Sequence, residues 1–161
     1  MITPLQDFAR WSLRLPPAAA ERLRELAGFP IAMEINRCAS ANGRLAARLG
    51  PDEWLLCGPV DAAVEFEAAL GSELHALVDV GHRYLAFALE GPNALALLAA
   101  GCPLDLHPRV FTPGTATRTL LGKAEIVLWR LHDAPAYRVE CARSFAPYVL
   151  AFLREAAREF A

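Results

Sequence analysis

Apolar and polar residues alternate with a period of two in several short runs, and proline, glycine and aspartate divide those runs. Trp11-Ser-Leu-Arg-Leu15 alternates in this way and predicts a strand. Pro16-Pro17 come next, then a helical stretch from Ala18 to Ala27 closed by Gly28. The order recurs later: a strand over Tyr84 to Leu89, then Gly91-Pro92, a helical stretch from Asn93 to Ala100 and a closing Gly101. Proline is tolerated in a first helical turn because the amide it lacks would be unpaired there, and glycine fits just past a helix end.

Two further stretches predict strand, turn, strand, helix. One has strands over Arg44 to Leu49 and Glu53 to Cys57 around Gly50-Pro51-Asp52, with a helix from about Asp61 to Leu70. The other has strands over Ile126 to Leu131 and Ala136 to Cys141 around His132-Asp133-Ala134-Pro135, with a helix from Ser144 to Phe160. Asp61 and Ser144 stand where helix N-caps are wanted. Ala76 to Val80 predicts a strand leading from one part into the next, and Thr117 to Leu121 another, set off by Gly122-Lys123. In the last helix Phe145, Val149, Phe152, Leu153, Ala156 and Phe160 form one apolar stripe, with Arg154, Glu155, Arg158 and Glu159 on the other side. A helix docked on a sheet accounts for that stripe, and Pro147 falls in its first turn, where it does little harm.

Laid in order, these segments form an internal repeat within a single domain spanning residues 1–161, with halves of about 8–80 and 81–161. Arg48-Leu49 and Trp54 of the first half answer Arg130-Leu131 and Tyr137 of the second. A doubly wound fold needs strict strand–helix alternation, which the two hairpins break. The expected class is α+β, with duplicated strand-helix-strand-strand-helix halves forming mixed or antiparallel sheets on which helices pack.

Composition narrows the function. The chain is 55% hydrophobic but only 21% charged, which suggests that part of its surface is set against a partner. The net charge is −2 and there is no basic block, so nucleic acid is not an expected partner. No apolar run approaches the ~20 residues that cross a bilayer, and Met1 to Arg10, with Pro4, Gln6, Asp7 and Arg10, lacks the pattern of a signal peptide. A cytoplasmic protein with no membrane contact is expected. Cys38, Cys57, Cys102 and Cys141 form no CxxC pair and are expected as reduced thiols, most of them buried.

Candidate chemistry is sparse. His75, His82, His107 and His132 make no HxH or HxxxH pair, so no zinc site is predicted. Gly114 to Lys123 superficially resembles a phosphate loop, but Ala124 follows the lysine where Ser or Thr would be needed, and a glycine turn between two strands fits better. Ser144 sits outside any GxSxG elbow. Cys102 follows a helix C-terminus, the end that disfavours a thiolate. The most polar cluster beside an apolar strand is Asp79-Val-Gly-His82-Arg83, for which two readings stand. Asp79 could poise His82 for proton transfer, or it could bond the turn at Gly81 while His82 and Arg83 face water.

Leu49-Gly-Pro-Asp-Glu-Trp-Leu-Leu56, Gly101-Cys-Pro-Leu-Asp-Leu106, Thr119-Leu-Leu-Gly-Lys-Ala-Glu-Ile-Val-Leu-Trp129-Arg130 and Arg143-Ser-Phe-Ala-Pro-Tyr148 resemble, in this order and spacing, the gamma subunit of heterotetrameric sarcosine oxidase. The likeness runs from about Arg44 to Phe160. Asp79-Val-Gly-His82, Leu89-Glu-Gly-Pro-Asn-Ala-Leu95 and the Gly114–Leu131 hairpin more distantly resemble the folate-binding domain of the glycine-cleavage T-protein. Gly81 stands where that family has serine, and Ala124 and Glu125 stand where its hairpin carries paired aspartates.

The resemblance implies a non-catalytic assembly subunit of an oxidoreductase complex that demethylates sarcosine to glycine and passes the one-carbon unit to tetrahydrofolate. Its partners would be the alpha, beta and delta subunits. FAD, FMN, NAD and tetrahydrofolate would reside in those partners, with no cofactor, metal or catalytic residue on this chain. The alternative is a stand-alone folate-binding or one-carbon transfer protein, for which Asp79, His82 and Glu125 would be the remnant of a folate site. A homodimeric module with an unrelated ligand is a third reading. The expected partner contact comprises Cys102, Pro103, Leu104, Asp105, Leu106 and Phe111, with Arg143, Phe145 and Tyr148 of the last helix's first turn. Leu104, Leu106 and Phe111 could equally close the core under a long loop.

Overall fold

A computed structural model describes residues 1–5 and 8–160. Gln6 and Asp7, two of the residues weighed against a signal peptide, lie outside the described residues, as does Ala161 at the end of the second expected half. The chain groups into two compact units. Residues 7–82 form the N-terminal unit, and residues 83–161 together with 1–6 form the C-terminal unit. The first strand therefore belongs with the far end of the sequence, outside either expected half.

In the N-terminal unit, β2 (Ala9–Arg14) leads through Pro16 into α1 (Pro17–Leu23), whose first residue is proline, as the missing amide allows. The expected helix to Ala27 stops early. Arg24 turns left-handed (φ 51°), and its amide closes the helix on Ala20 O at 2.8 Å. The next residues form a small hairpin of β3 (Glu25–Leu26) and β4 (Phe29–Pro30). Ala27 and Gly28 both have positive φ, as a two-residue type I′ turn demands, so Gly28 serves this turn rather than a helix end. β5 (Cys38–Ala41) and β6 (Arg44–Arg48) are joined by Asn42-Gly43, and β7 (Glu53–Gly58) follows the Gly50-Pro51-Asp52 turn. Next come α2 (Ala62–Leu70) and β8 (Ala76–Asp79). Asp61 occupies the N-cap position of α2 but makes no side-chain cap bond, contrary to expectation.

The C-terminal unit contains β1 (Ile2–Leu5), β9 (Tyr84–Glu90), α3 (Ala94–Ala99), β10 (Thr115–Leu121), β11 (Ala124–Arg130), β12 (Ala136–Ala142) and α4 (Ala146–Ala157). A 3-10 turn at Arg143–Phe145 precedes α4 and another at Arg158–Phe160 follows it. Ser144 lies inside the first of these turns, and Phe145 takes the N-cap position without a side-chain bond, so Ser144 is not the helix cap it was expected to be.

The sheets explain the repeat. Their orders are β5-β6-β7-β2-β8 and β10-β11-β12-β9-β1, and every pairing is antiparallel. Matched by rank, β2 answers β9, β6 answers β11, β7 answers β12 and α2 answers α4. Each unit owns a core. Trp11, Leu13, Trp54, Leu56 and Phe66 pack in the N-terminal one. Leu89, Leu98, Leu128, Val139 and Leu153 pack in the C-terminal one. Each fully buried side chain of this size contributes roughly 1.5–3 kcal/mol relative to exposure. The α4 stripe is buried at Val149 and Leu153, with Phe152 and Ala156 packed against the same core. Its ends depart from the pattern. Phe145 and Phe160 sit in the 3-10 turns, where three residues per turn lose the 3.6-residue phase, and both are nearly half exposed.

Candidate functional site

The motifs quoted above for the C-terminal unit converge at one end of it. Gly122 N donates to Gly101 O at 2.9 Å, which ties the β10–β11 turn to the end of α3. Lys123 N donates to Tyr148 Oη at 3.0 Å, which ties the same turn to α4. The Tyr148 and Phe152 rings stack with centroids 6.3 Å apart. A Cβ on Gly122 would run into Tyr148 Oη, and one on Gly101 would run into Phe152 Cζ and stand 2.9 Å from Gly122 N. Two bare backbones and two aromatic rings thus fill one junction, and a Cβ at either backbone would force a neighbour to shift. Glycine also suits the positive φ of Gly122 (58°) between paired Leu121 and Ala124. The stretch that superficially resembled a phosphate loop is strand β10 and this turn.

Around this junction the expected contact residues divide. Cys102, Leu106 and Phe111 are buried members of the core. Cys102 Sγ lies 3.7 Å from Thr119 Oγ1, and the Phe111 ring stacks on Tyr137 at 6.4 Å. These three side chains close the core under the connection and can serve a partner only through the backbone they support. Pro103, Leu104 and Asp105 stand at the surface; Asp105 Oδ1 accepts from His107 N at 2.9 Å and so shapes the connection. Arg143, Phe145 and Tyr148 are also at the surface, with Leu104 36%, Phe145 46% and Tyr148 37% exposed. Leu120 of β10 is likewise exposed. Large apolar side chains are thus presented in the same motifs that form the junction.

The residues singled out for folate do not form one constellation within a unit. Asp79 and His82 belong to the N-terminal unit and Glu125 to the C-terminal one. Asp79 Oδ1 accepts from Gly81 N at 2.8 Å, the turn-bonding role, and His82 is exposed in the 3-10 turn that follows. Glu125 is exposed on β11 and lines a concavity of about 280 Å³ with Arg83, Tyr84, Glu140 and Phe145.

Glu140 was not among the expected site residues. It is fully buried on β12, and Arg138, two residues away on the same strand face, holds its Oε1 through Nε and Nη2, each at 2.7 Å. A visible signal existed: two opposite charges at i and i+2 inside an otherwise apolar strand. Burial also governs the thiols. None of the four cysteines is in a disulfide; desolvation pushes Cys38 up to about 12 and Cys141 up to about 11, so neither is a thiolate near neutrality. Among the described residues no three His, Cys, Asp or Glu side chains gather as a metal site requires.

The model of the "Sarcosine oxidase, gamma subunit family" matches residues 15–159. The chain belongs to this family. It is 35% identical over 142 residues to the sarcosine oxidase subunit gamma of Corynebacterium sp. (strain P-1), a match covering 86% of this chain and 70% of that one. Its matches span 58% to 70% of the lengths of the curated gamma subunits. Among solved structures, a chain of the heterotetrameric sarcosine oxidase from Corynebacterium sp. U-96, in complex with pyrrole 2-carboxylate, superposes with a TM-score of 0.90. That match has 28% identity and covers 99% of this chain and 84% of the other. The glycine cleavage system aminomethyltransferase T from Bartonella henselae superposes with a TM-score of 0.69 at 13% identity, over 94% of this chain and 44% of that one. This second likeness concerns fold alone, and it agrees with the α+β class read from the sequence.

Proposed function

We propose that this chain works as the gamma subunit of a heterotetrameric sarcosine oxidase and contributes architecture rather than catalysis. Membership of the gamma family carries this reading. In the proposal the chain packs with alpha, beta and delta subunits in the cytoplasm. Those partners bear FAD, FMN, NAD and tetrahydrofolate, and sarcosine is demethylated among them. The surface assigned to the partner is the junction end of the C-terminal unit: Pro103, Leu104 and Asp105 of the connection, with Arg143, Phe145 and Tyr148 at the start of α4. Cys102, Leu106 and Phe111 hold that surface in shape from beneath. Exposed Phe and Leu on backbone next to a glycine-packed junction suit a buried contact, since a backbone already held in place has little freedom to lose on binding. No helix among the described residues is long and apolar enough to cross a membrane.

The test is co-expression of the four chains with Phe145→Glu and Leu104→Lys in this one. Both side chains project from the surface, so the variant chain keeps its unfolding midpoint while its recovery with tagged alpha subunit falls at least about tenfold. Recovery equal to the parent's would remove this surface from the proposal. A complex that assembles and turns over normally without this chain would remove the subunit role itself. Asp79, His82 and Glu125 are assigned no folate in this reading, and calorimetry of the purified chain with millimolar tetrahydrofolate is expected to show no binding heat.

A further inference from the structure

The two sheets share one strand order, but their last strands come from different places in the chain. In the N-terminal unit, β8 follows α2 after five residues, 71–75, and pairs with β2. The equivalent position beside β9 follows α4 in rank, yet β1 fills it from the other end of the sequence. β1 pairs Ile2 with Leu89, Thr3 with Ala88, Pro4 with Phe87 and Leu5 with Ala86. Glu90 N donates to Met1 O at 2.9 Å. Antiparallel alternation then turns the Ala88 and Ala86 amides toward Thr3 and Leu5, and turns the Ile2 and Pro4 amide positions outward. Pro4 therefore loses no ladder bond, and it denies the outer edge one donor. The strand is lightly held: Ile2 and Leu5 are half-buried, while Thr3 and Pro4 are exposed. Pro4 and Leu5 themselves line one side of a mostly apolar groove of about 390 Å³, together with Leu85, Phe87, Pro147 and Leu150 and with Arg143 at its margin.

We propose that the outer edge of β9 is a strand-acceptor site for an extended apolar peptide. Residues 1–5 fill it as a separable segment, and the segment docks equally when supplied in trans or from the far end of the chain. Recognition rests on backbone bonds at Ala86, Ala88 and Glu90, with Ile2 packed against the core. Covalent continuity with Phe8 is not required, because in the sister unit the same position is reached from the helix that corresponds to α4.

Two full-length proteins test this by amide hydrogen exchange at Ala86, Ala88 and Glu90. In the first, Thr3→Pro removes the donor that β1 gives to Ala88 and opens the site. Free peptide of sequence 1–7 at millimolar concentration is expected to slow exchange at all three amides by about tenfold or more, and the same peptide carrying Thr3→Pro is not. In the second, residues 1–7 are moved behind residue 161 through a linker of about five residues, the length that joins α2 to β8. This permuted chain is expected to protect the three amides as the parent does, with no peptide added. It carries native side chains throughout, so it decides the matter if the Thr3→Pro chain fails to fold. The proposal is overturned if the native peptide protects no better than the altered one, or if the permuted chain exchanges as fast as the opened site.

Discussion

An alanine at Gly101 would drive its Cβ into Phe152 Cζ and hold it 2.9 Å from Gly122 N, closer than real Cβ atoms come. The two contacts differ in how easily they yield. The Phe152 ring is only half-buried and can tilt away. The Gly122 amide cannot retreat without stretching its 2.9 Å bond to Gly101 O, and that bond ties the β10–β11 turn to α3. Overpacking a filled site costs about 1–3 kcal/mol, and a loosened hydrogen bond adds about 1 kcal/mol. Alanine returns ~0.4–1 kcal/mol by restricting the unfolded chain. The net expectation is a loss of roughly 1–3 kcal/mol, or about 3–10 °C in Tm for a chain of this length. Thermal unfolding followed by circular dichroism measures it. Phe152→Leu, which removes Cζ, should recover part of the loss in the double variant, giving a favourable coupling of about 0.5–2 kcal/mol. The backbone contact remains, so recovery stays incomplete. A Gly101→Ala chain as stable as the parent, or strictly additive single and double variants, would refute the packing argument.

The buried Arg138–Glu140 pair and the His75 cluster give further tests. Arg138→Met leaves the Glu140 carboxylate buried without its guanidinium and should cost about 3–5 kcal/mol in urea unfolding; Arg138→Met with Glu140→Leu should cost less than the single change. His75 Nδ1 faces Glu73 O at 2.7 Å and its Nε2 faces Glu67 Oε2 at 2.9 Å; the bond to the Glu73 carbonyl, then that to Glu67, raises its pKa. A proton held more tightly folded than unfolded stabilises the fold fully below about pH 6.5, and the gain fades as pH rises through the folded-state value. The parent should therefore lose its advantage over His75→Gln as pH rises from about 6.5 through the folded-state value, whereas a pH-independent difference would discard the proton linkage.

The sequence was most legible where one local signal sufficed. β9, the turn at Gly50-Pro51-Asp52 and helix α4 follow from period and turn chemistry. It was least legible where short elements or distant pairings decide. Asn42-Gly43, the strongest two-residue hairpin signal, went unread because the β5 run Cys38-Ala-Ser-Ala41 has little apolar bulk. Helix α1 was overextended because Glu25, Leu26 and Ala27 are good helix formers, and their place in a hairpin depends on Leu26 and Phe29 being buried together. β1 could not be placed from its own residues, since its partner β9 lies more than eighty positions away. Within the expected contact surface, sequence could not separate Leu104, which is exposed, from Leu106 and Phe111, which are buried. That division depends on how the connection closes over the core.

One repeat signal was more informative than its two letters suggested. Arg48 and Arg130 end β6 and β11, each next to the edge strand of its sheet, and each reaches back to the irregular connection before the hairpin. Arg48 donates to Met33 O, Gly50 O and Pro51 O while its guanidinium lies 4.7 Å over the Trp54 ring. Arg130 donates to Phe111 O and, at 3.3 Å, to Pro108 O. The aromatic near the start of the next strand assists in both units: Trp54 Nε1 donates to Ala32 O at 2.8 Å, and Tyr137 stacks on Phe111. Carbonyls of an irregular segment have no ladder to join, and a planar guanidinium with several donors can satisfy two or three of them at once. Lysine could not replace it, because a single ammonium has no fixed fork. The arginine of the Arg-Leu pair that repeats across the halves therefore has a mechanical role. It fixes the two connections, and in the C-terminal unit the fixed connection is the one that carries Leu104 at the surface.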